Sequence, residues 1–174
     1  MEELRDARGL TEAEAIARYR SRNYPKPALT ADILVFAREG DAYKLLLIRR
    51  GGHPYLGKLA LPGGFANENE PIEATAAREL LEETGVEGLE LKLVGIFSAP
   101  GRDPRGWVVS AAYLSLVNAA GLCVRAGDDA AEARWYTVDQ TGGRITLRRE
   151  AEAVDADDLA FDHGIILRAA LAML

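Results

Sequence analysis

The chain has 174 residues, of which 48% are hydrophobic, and its formal net charge at pH 7 is -6. This length suits a single domain, so we expect residues 1–174 to form one, with residues 1–27 as a helical N-terminal extension. The acidic balance argues against a general binder of nucleic acid or membrane surfaces, which would usually carry a basic patch. The sequence shows no signal-peptide pattern and no apolar stretch long enough to span a bilayer. We therefore expect a cytoplasmic protein.

The first predicted elements are a short helix and a β-hairpin. Thr11 and Glu14 have the spacing of a capping box, which predicts the start of a helix. Two apolar runs at 33–36 and 45–48 are separated by a turn around Gly40. This pattern is typical of a hairpin whose strands are well buried.

A central helix is predicted after the glycine-rich loop at 51–64. Pro71 suits the first turn of this helix, and Gly85 suits a left-handed C-terminal stop. Apolar residues recur every four positions between them and give the helix one apolar stripe.

The remaining elements are strands followed by a last helix. Strand-like segments lie at 91–98, at 107–117 and around 133–138, whereas the polar segment 140–158 fits no element clearly. A final helix is predicted to start near Asp162, whose side chain would cap it. This order of elements indicates an α/β (α+β) fold with a mixed β-sheet sandwiched between helices.

Three carboxylates share one face of the central helix. Glu79, Glu82 and Glu83 stand at i, i+3 and i+4, where like charges weaken a helix by roughly a few tenths of a kcal/mol per pair. A solvated acidic face would explain them, and so would a site for Mg²⁺ or Mn²⁺, which prefer carboxylate oxygens. Gly64 allows close approach of a backbone carbonyl, and Arg78 can hold a carboxylate in position. The combination favours the cation site.

This pattern resembles the Nudix hydrolase family. The residues that match its box, 64–86, are Gly64, Glu70, Arg78, Glu79, Leu80, Glu82, Glu83, Gly85 and Val86. The resemblance is strongest in the box and extends over roughly 28–138. It implies a Nudix fold and an enzyme that uses Mg²⁺ (or Mn²⁺) to hydrolyse the pyrophosphate bond of a nucleoside diphosphate linked to another group.

The resemblance also implies a role for each box residue. The implied metal ligands are Glu79, Glu82, Glu83 and the carbonyl of Gly64. The implied catalytic residues are Glu82, Glu79 and Arg78, of which Arg78 orients the carboxylates. Glu70 and Gly85 are expected to be structural, with Glu70 bracing the loop against the helix.

The sequence leaves the general base open. A box glutamate could act through a bound water. Some similar enzymes take the base from a later acidic loop, which here offers Asp128, Asp129 or Glu132. Asp128 and Asp129 could equally form a simple turn before the next strand.

Substrate choice is predicted from residues outside the box. Pro100 lies fifteen residues beyond Gly85 and resembles the proline of the ADP-ribose pyrophosphatase-like group, although a hairpin turn would also explain it. The best hypothesis is therefore cleavage of ADP-ribose to AMP and ribose 5-phosphate. The predicted substrate-binding residues are Arg50, Arg102, Arg105 and Phe65. For an adenine slot the candidates are Phe36, Phe65 and Trp107.

Two alternatives share the same box. One is a pyrophosphohydrolase that removes non-standard nucleoside triphosphates, and the other is a non-catalytic domain that senses ADP-ribose and regulates transcription. Such sensors often have a degraded box and carry a DNA-binding winged helix, and neither feature is found before Leu174. The enzyme hypothesis is favoured, with a homodimer implied by the resemblance and no nucleic-acid or membrane partner. His53 and His163 are interpreted as structural.

Overall fold

The computed structural model describes residues 3–118 and 130–174. The helices are α1 (Glu12–Arg20), α2 (Ile72–Thr84) and α3 (His163–Leu171), with a short 3₁₀ helix at Ala156–Asp158. The strands are β1 (Ala28–Glu39), β2 (Ala42–Arg50), β3 (Leu59–Ala60), β4 (Gly63–Phe65), β5 (Lys92–Phe97), β6 (Val108–Asn118), β7 (Ala130–Thr141), β8 (Arg144–Arg149) and β9 (Glu152–Asp155).

The strands form a mixed sheet with the order β5-β6-β1-β2-β7-β8-β9, in which β3 pairs with β2 and β4 pairs with β1. β1 runs parallel to β6 and antiparallel to β2 and β4. Because β1 has neighbours on both sides, its backbone groups are paired within the sheet. The predicted α/β class with a mixed sheet is confirmed.

The two faces of β1 are covered by different helices. Ile33 belongs to the core cluster that includes Leu80 of α2, whereas Leu34 belongs to the cluster that includes Ile166 of α3. Alternate residues of a strand point to opposite faces, so a strand covered on both sides reads as a continuous apolar run. Phe36 is completely buried in this core, which rules out the prediction that it could form an adenine slot.

Several helix ends lie where local sequence signals predict them. Thr11 caps α1 in a capping box with Glu14, as predicted. The C-cap of α2 is Gly85, which has a left-handed φ of 71°. The prediction that Asp162 caps the last helix with its side chain is wrong, since that carboxylate makes no cap hydrogen bond and pairs with Arg102 instead.

None of the helices in the described ranges is both long enough and apolar enough to cross a bilayer.

Candidate active site

Arg78, in the middle of α2, is the centre of an ionic network. Its guanidinium donates to both oxygens of Glu70 at 2.9 Å, to Glu79 Oε1 at 2.6 Å and to Glu82 Oε2 at 3.1 Å. It also donates to the backbone carbonyl of Phe65 at 3.0 Å. One side chain therefore orients two box glutamates and holds the loop that precedes the helix.

Glu70 joins that loop to α2. Besides Arg78, its carboxylate accepts hydrogen bonds from the Asn67 amide and the Thr75 hydroxyl, each at 2.9 Å. The bonds from Arg78 and Asn67 lower the pKa of Glu70 from 4.5 to about 2. These contacts are those expected of a brace between loop and helix.

Glu79 and Glu83 converge on the diglycine of β4. Glu83 Oε2 accepts a hydrogen bond from the Gly63 amide at 2.8 Å. A β-carbon on Gly64 would lie only 2.5 Å from the Glu79 carboxylate, so glycine at this position leaves room for that group. Burial raises the pKa of Glu79, and it raises the pKa of Glu83 to about 8 with a further contribution from the charge of Glu79.

The donor set around the diglycine fits a hard divalent cation in its chemistry. Two carboxylates lie against a backbone that glycine leaves accessible, and carboxylate and carbonyl oxygens are the donors that Mg²⁺ and Mn²⁺ prefer. Within residues 3–118 and 130–174, however, no three acidic, His or Cys side chains form a group that could hold a metal as they stand. Arg78 holds Glu79 and Glu82, whereas the Gly63 amide holds Glu83. The predicted ligand set of Glu79, Glu82, Glu83 and Gly64 stays a prediction.

A pocket opens beside the diglycine. It is lined by all four residues predicted to bind substrate, namely Arg50, Phe65, Arg102 and Arg105. The structure adds Thr30, Asp32, Asp103, Phe161 and His163 to the lining. Trp107, which the sequence offered as an aromatic contact, is not among the lining residues.

Two guanidinium groups lie over one aromatic ring in this pocket. The Cζ atoms of Arg50 and Arg105 are 4.9 Å and 5.3 Å from the centre of the Phe161 ring, and Arg105 is also 4.6 Å from that of Phe65. Burial and the charge of Arg105 lower the pKa of Arg50, against the opposing charge of Glu83. Holding two cations this close creates a local field that attracts an anion.

Arg105 is held in place by Asp103, which is itself buried. The Asp103 carboxylate accepts from Nε of Arg105 at 3.0 Å and from Nη2 at 2.7 Å. Burial of Asp103 tends to raise its pKa, but the hydrogen bonds from Arg105 outweigh this and the pKa is lowered. The arginine is therefore preorganised over the two phenylalanines.

Asp32, which lines the pocket, is a buried acid next to the apolar run of β1. It accepts a hydrogen bond from Ser110 Oγ at 2.5 Å, and it lies 3.4 Å from Arg102 Nη2 and 3.4 Å from His163 Nε2. Burial tends to raise its pKa, but His163, Ser110 and Arg102 together lower it. The sequence motifs do not include Asp32, although an aspartate between the apolar Ala31 and Ile33 indicates a buried carboxylate with a specific partner.

The candidates for a general base differ in position. Glu132 lies outside the pocket lining and forms ion pairs with Arg134 at 2.8 Å, Arg149 at 3.7 Å and Arg49 at 3.8 Å. Asp128 and Asp129 lie outside the described residues. Glu79 and Glu83 pack against the diglycine that lines the pocket. The identity of the general base stays a prediction.

Comparison with known proteins identifies the family of this chain. The model of the NUDIX domain matches residues 26–157. An ADP-ribose pyrophosphatase of Methanocaldococcus jannaschii is 36% identical over 147 residues, which cover 84% of this chain and 75% of that protein. The chain belongs to the NUDIX family.

Two further comparisons involve proteins that respond to or bind ADP-ribose. The ADPR responsive transcriptional repressor NtrR of Acinetobacter baylyi is 32% identical over 166 residues, which cover 94% of this chain and 61% of the repressor. The chain thus spans less than two thirds of the length of that relative. The NUDIX domain of Shewanella oneidensis NrtR, solved in complex with ADP ribose, aligns with a TM-score of 0.74 and 28% identity, covering 94% of this chain and 99% of that domain.

Proposed function

We propose that this chain is a divalent-metal-dependent pyrophosphatase that hydrolyses ADP-ribose to AMP and ribose 5-phosphate. The observation that carries the proposal is the placement of Arg50 and Arg105 over Phe161, directly beside the diglycine on which Glu79 and Glu83 converge. A diphosphate in this pocket would meet two cations on one side and the box carboxylates on the other. The NUDIX match and the pyrophosphatase relative support the same class of enzyme.

Glu79, Glu82 and Glu83 would hold the metal, together with the carbonyl of Gly64. A divalent cation there would neutralise diphosphate charge and lower the pKa of a bound water. The same cation would compete with Arg78 for Glu79 and Glu82, which are held by a salt bridge on the partly exposed face of α2. The pair with Glu82, whose side chain is 56% exposed, is worth little in free energy, so releasing Glu82 to a cation costs little.

The protein's own residues would position the substrate. Arg50 and Arg105 would bind the diphosphate and Phe65 would contact the nucleoside or ribose. Arg78 would orient the glutamates, one of which serves as the general base. Arg105 needs little reorganisation on binding because Asp103 already holds it, and preorganised cations stabilise developing charge most effectively.

The class of substrate separates the possible functions. We would incubate the chain with Mg²⁺ or Mn²⁺ and ADP-ribose, other nucleoside diphosphate sugars, dinucleotides and oxidised nucleoside triphosphates, and identify products by mass spectrometry. We expect AMP and ribose 5-phosphate from ADP-ribose. Exclusive turnover of triphosphates would contradict the substrate and favour removal of non-standard nucleotides.

An ADP-ribose-binding regulatory role is the second candidate, and the similarity to NtrR is the observation that favours it. The outcome that would establish it is tight binding of ADP-ribose with no cleavage by either metal. The box in this chain keeps its carboxylates and their Arg78 partner, which supports the enzyme.

We propose that residues 1–174 act as one NUDIX hydrolase domain with residues 1–27 as an extension. The homodimer and the cytoplasmic location implied by the sequence stay predictions.

A further inference from the structure

Arg102 and Asp162 form a buried ion pair beside the pocket. Arg102 donates from Nε to Asp162 Oδ2 at 2.9 Å and from Nη2 to Oδ1 at 2.6 Å. The two side chains are only 4% and 12% exposed. The same Nη2 lies 3.4 Å from Asp32 Oδ2. Arg102, which the sequence predicted to bind substrate, therefore has its guanidinium engaged by two carboxylates of the protein.

Each partner of this pair is next in sequence to a residue that builds the pocket. Arg102 precedes Asp103, whose carboxylate holds Arg105. Asp162 follows Phe161, whose ring lies under the Arg105 guanidinium. A bidentate pair between arginine and carboxylate has a fixed geometry. It therefore sets the position of the loop that carries Arg105 relative to the ring of Phe161.

The backbone conformation of Phe161 is independent evidence that contacts with the surrounding protein determine its position. Its φ of 53° is left-handed, which is unfavourable for a bulky residue and persists only where surrounding contacts hold it. Those contacts follow immediately in the chain. Asp162 binds Arg102, and His163 Nδ1 accepts a hydrogen bond from the Leu61 amide at 2.9 Å.

We propose that Arg102 and Asp162 are positioning residues, which hold Arg105 over Phe161 in the geometry that binds a diphosphate. They act through Arg105 and do not contact the ligand themselves. The inference rests on the proposed function for the identity of that ligand. A pair that only stabilised the fold would leave affinity unchanged once the chain was folded.

The test is a double-mutant cycle on ADP-ribose affinity, measured by calorimetry in EDTA so that no turnover occurs. Asp162→Asn keeps the size of the side chain and Arg102→Lys keeps its charge, and each is expected to weaken binding about tenfold because the bidentate pair is lost. In an Arg105→Ala background, Asp162→Asn should add less than about twofold. If the losses of ADP-ribose affinity in the two single variants multiplied fully in the double variant, the proposal would be overturned.

Asp157→Asn is the matched control. Asp157 lies on the same segment and pairs with Arg168 at 2.7 Å, but its side chain is 74% exposed. We expect unchanged affinity in this variant. Weakening equal to that of Asp162→Asn would show that any charge lost from this segment has the same effect, and would contradict a positioning role.

Hydrogen exchange of the ligand-free chain separates this proposal from the proposed function. The Arg102 amide donates to the Ala99 carbonyl, and the Gly106 amide donates to the Asp103 carbonyl. Asp162→Asn should speed exchange at 101–106 by at least about tenfold, whereas Asp157→Asn should not. If the wild type neither bound nor cleaved ADP-ribose, the proposed function would fail and this measurement would still decide the positioning role. Unchanged exchange in both Asp162→Asn and Arg102→Lys would overturn it.

Discussion

The carboxylate of Glu83, near the end of α2, accepts a hydrogen bond from the backbone amide of Gly63 at 2.8 Å. This bond ties the helix that carries the box glutamates to β4, which pairs with β1 in the interior of the sheet. Gly63 and Gly64 also line the pocket, so the strand on which the box carboxylates pack forms part of the wall that faces Arg50 and Arg105. Sites built on such elements are held more precisely than sites on loops.

Replacement of Gly64 by alanine tests the packing of Glu79 on the diglycine. The new β-carbon would lie 2.5 Å from the Glu79 carboxylate, which must move away. A carboxylate is the far end of a flexible side chain, so the thermal midpoint should change little. The rate of ADP-ribose hydrolysis should fall on the order of a hundredfold, as expected for a misplaced catalytic group.

The control for this variant is Gly52→Ala, where a β-carbon would meet no atom within 4 Å. Its activity and thermal midpoint should match those of the wild type. A Gly64→Ala variant with full activity would show that the position of Glu79 is unimportant.

Glu70 should make the stability of the chain depend on pH in the acid range. Its pKa falls from 4.5 to about 2 in the folded protein, chiefly through its hydrogen bonds with Arg78. A carboxyl with a lowered folded pKa contributes stability above the unfolded pKa and loses it as the pH falls toward the folded pKa. Between these two values the wild type should lose stability more steeply than Glu70→Gln.

Urea unfolding at several pH values between 5 and 2 measures this difference. Parallel curves for the wild type and Glu70→Gln would mean that the Glu70 contacts do not stabilise the fold. The variant should also be less stable than the wild type at pH 7, where the brace is fully charged.

Replacement of Thr30 by valine should lower the affinity for ADP-ribose without lowering the stability of the fold. Its hydroxyl oxygen is buried at the pocket and has no hydrogen-bond partner in the part of the chain that the structure describes. An unpaired buried hydroxyl costs free energy until a ligand satisfies it. Thr30→Val should therefore keep or raise stability, by up to about 1 kcal/mol, and weaken ADP-ribose binding about tenfold.

Thr84→Val is a useful comparison for stability, because the buried Thr84 hydroxyl donates to the Leu80 carbonyl at 2.6 Å. Loss of that bond should lower the thermal midpoint, whereas Thr30→Val should not. Unchanged ADP-ribose affinity in Thr30→Val would exclude Thr30 as a ligand contact.

Local patterns in the sequence predicted much of the fold and the identity of the box. The Thr11 cap, the hairpin and the Gly85 stop depend on residues a few positions apart. The segment 140–158, whose polar pattern predicts no element, contains the whole of β8 and β9, and both strands pair with their neighbours in the sheet. Sheet pairing of this kind is decided by tertiary context.

The polar contacts below the pocket were missed for a similar reason. Asp162 suited a helix cap by its position in the sequence, yet Arg102, sixty residues earlier, takes its carboxylate. Asp32 and Phe161 gain their roles only when strand β1 and the start of α3 are brought together. No spacing rule within one element contains that information.

Hydrolysis of ADP-ribose by Glu83→Gln, with Glu87→Gln as the control, tests the central claim most directly. Glu83 packs on the diglycine, whereas Glu87 is exposed just beyond the box. With Mg²⁺ present, the account predicts that the wild type and Glu87→Gln release AMP and ribose 5-phosphate at similar rates. Glu83→Gln should be slower on the order of a hundredfold. Equal rates in all three proteins, or no cleavage of ADP-ribose by the wild type with Mg²⁺ or Mn²⁺, would contradict it.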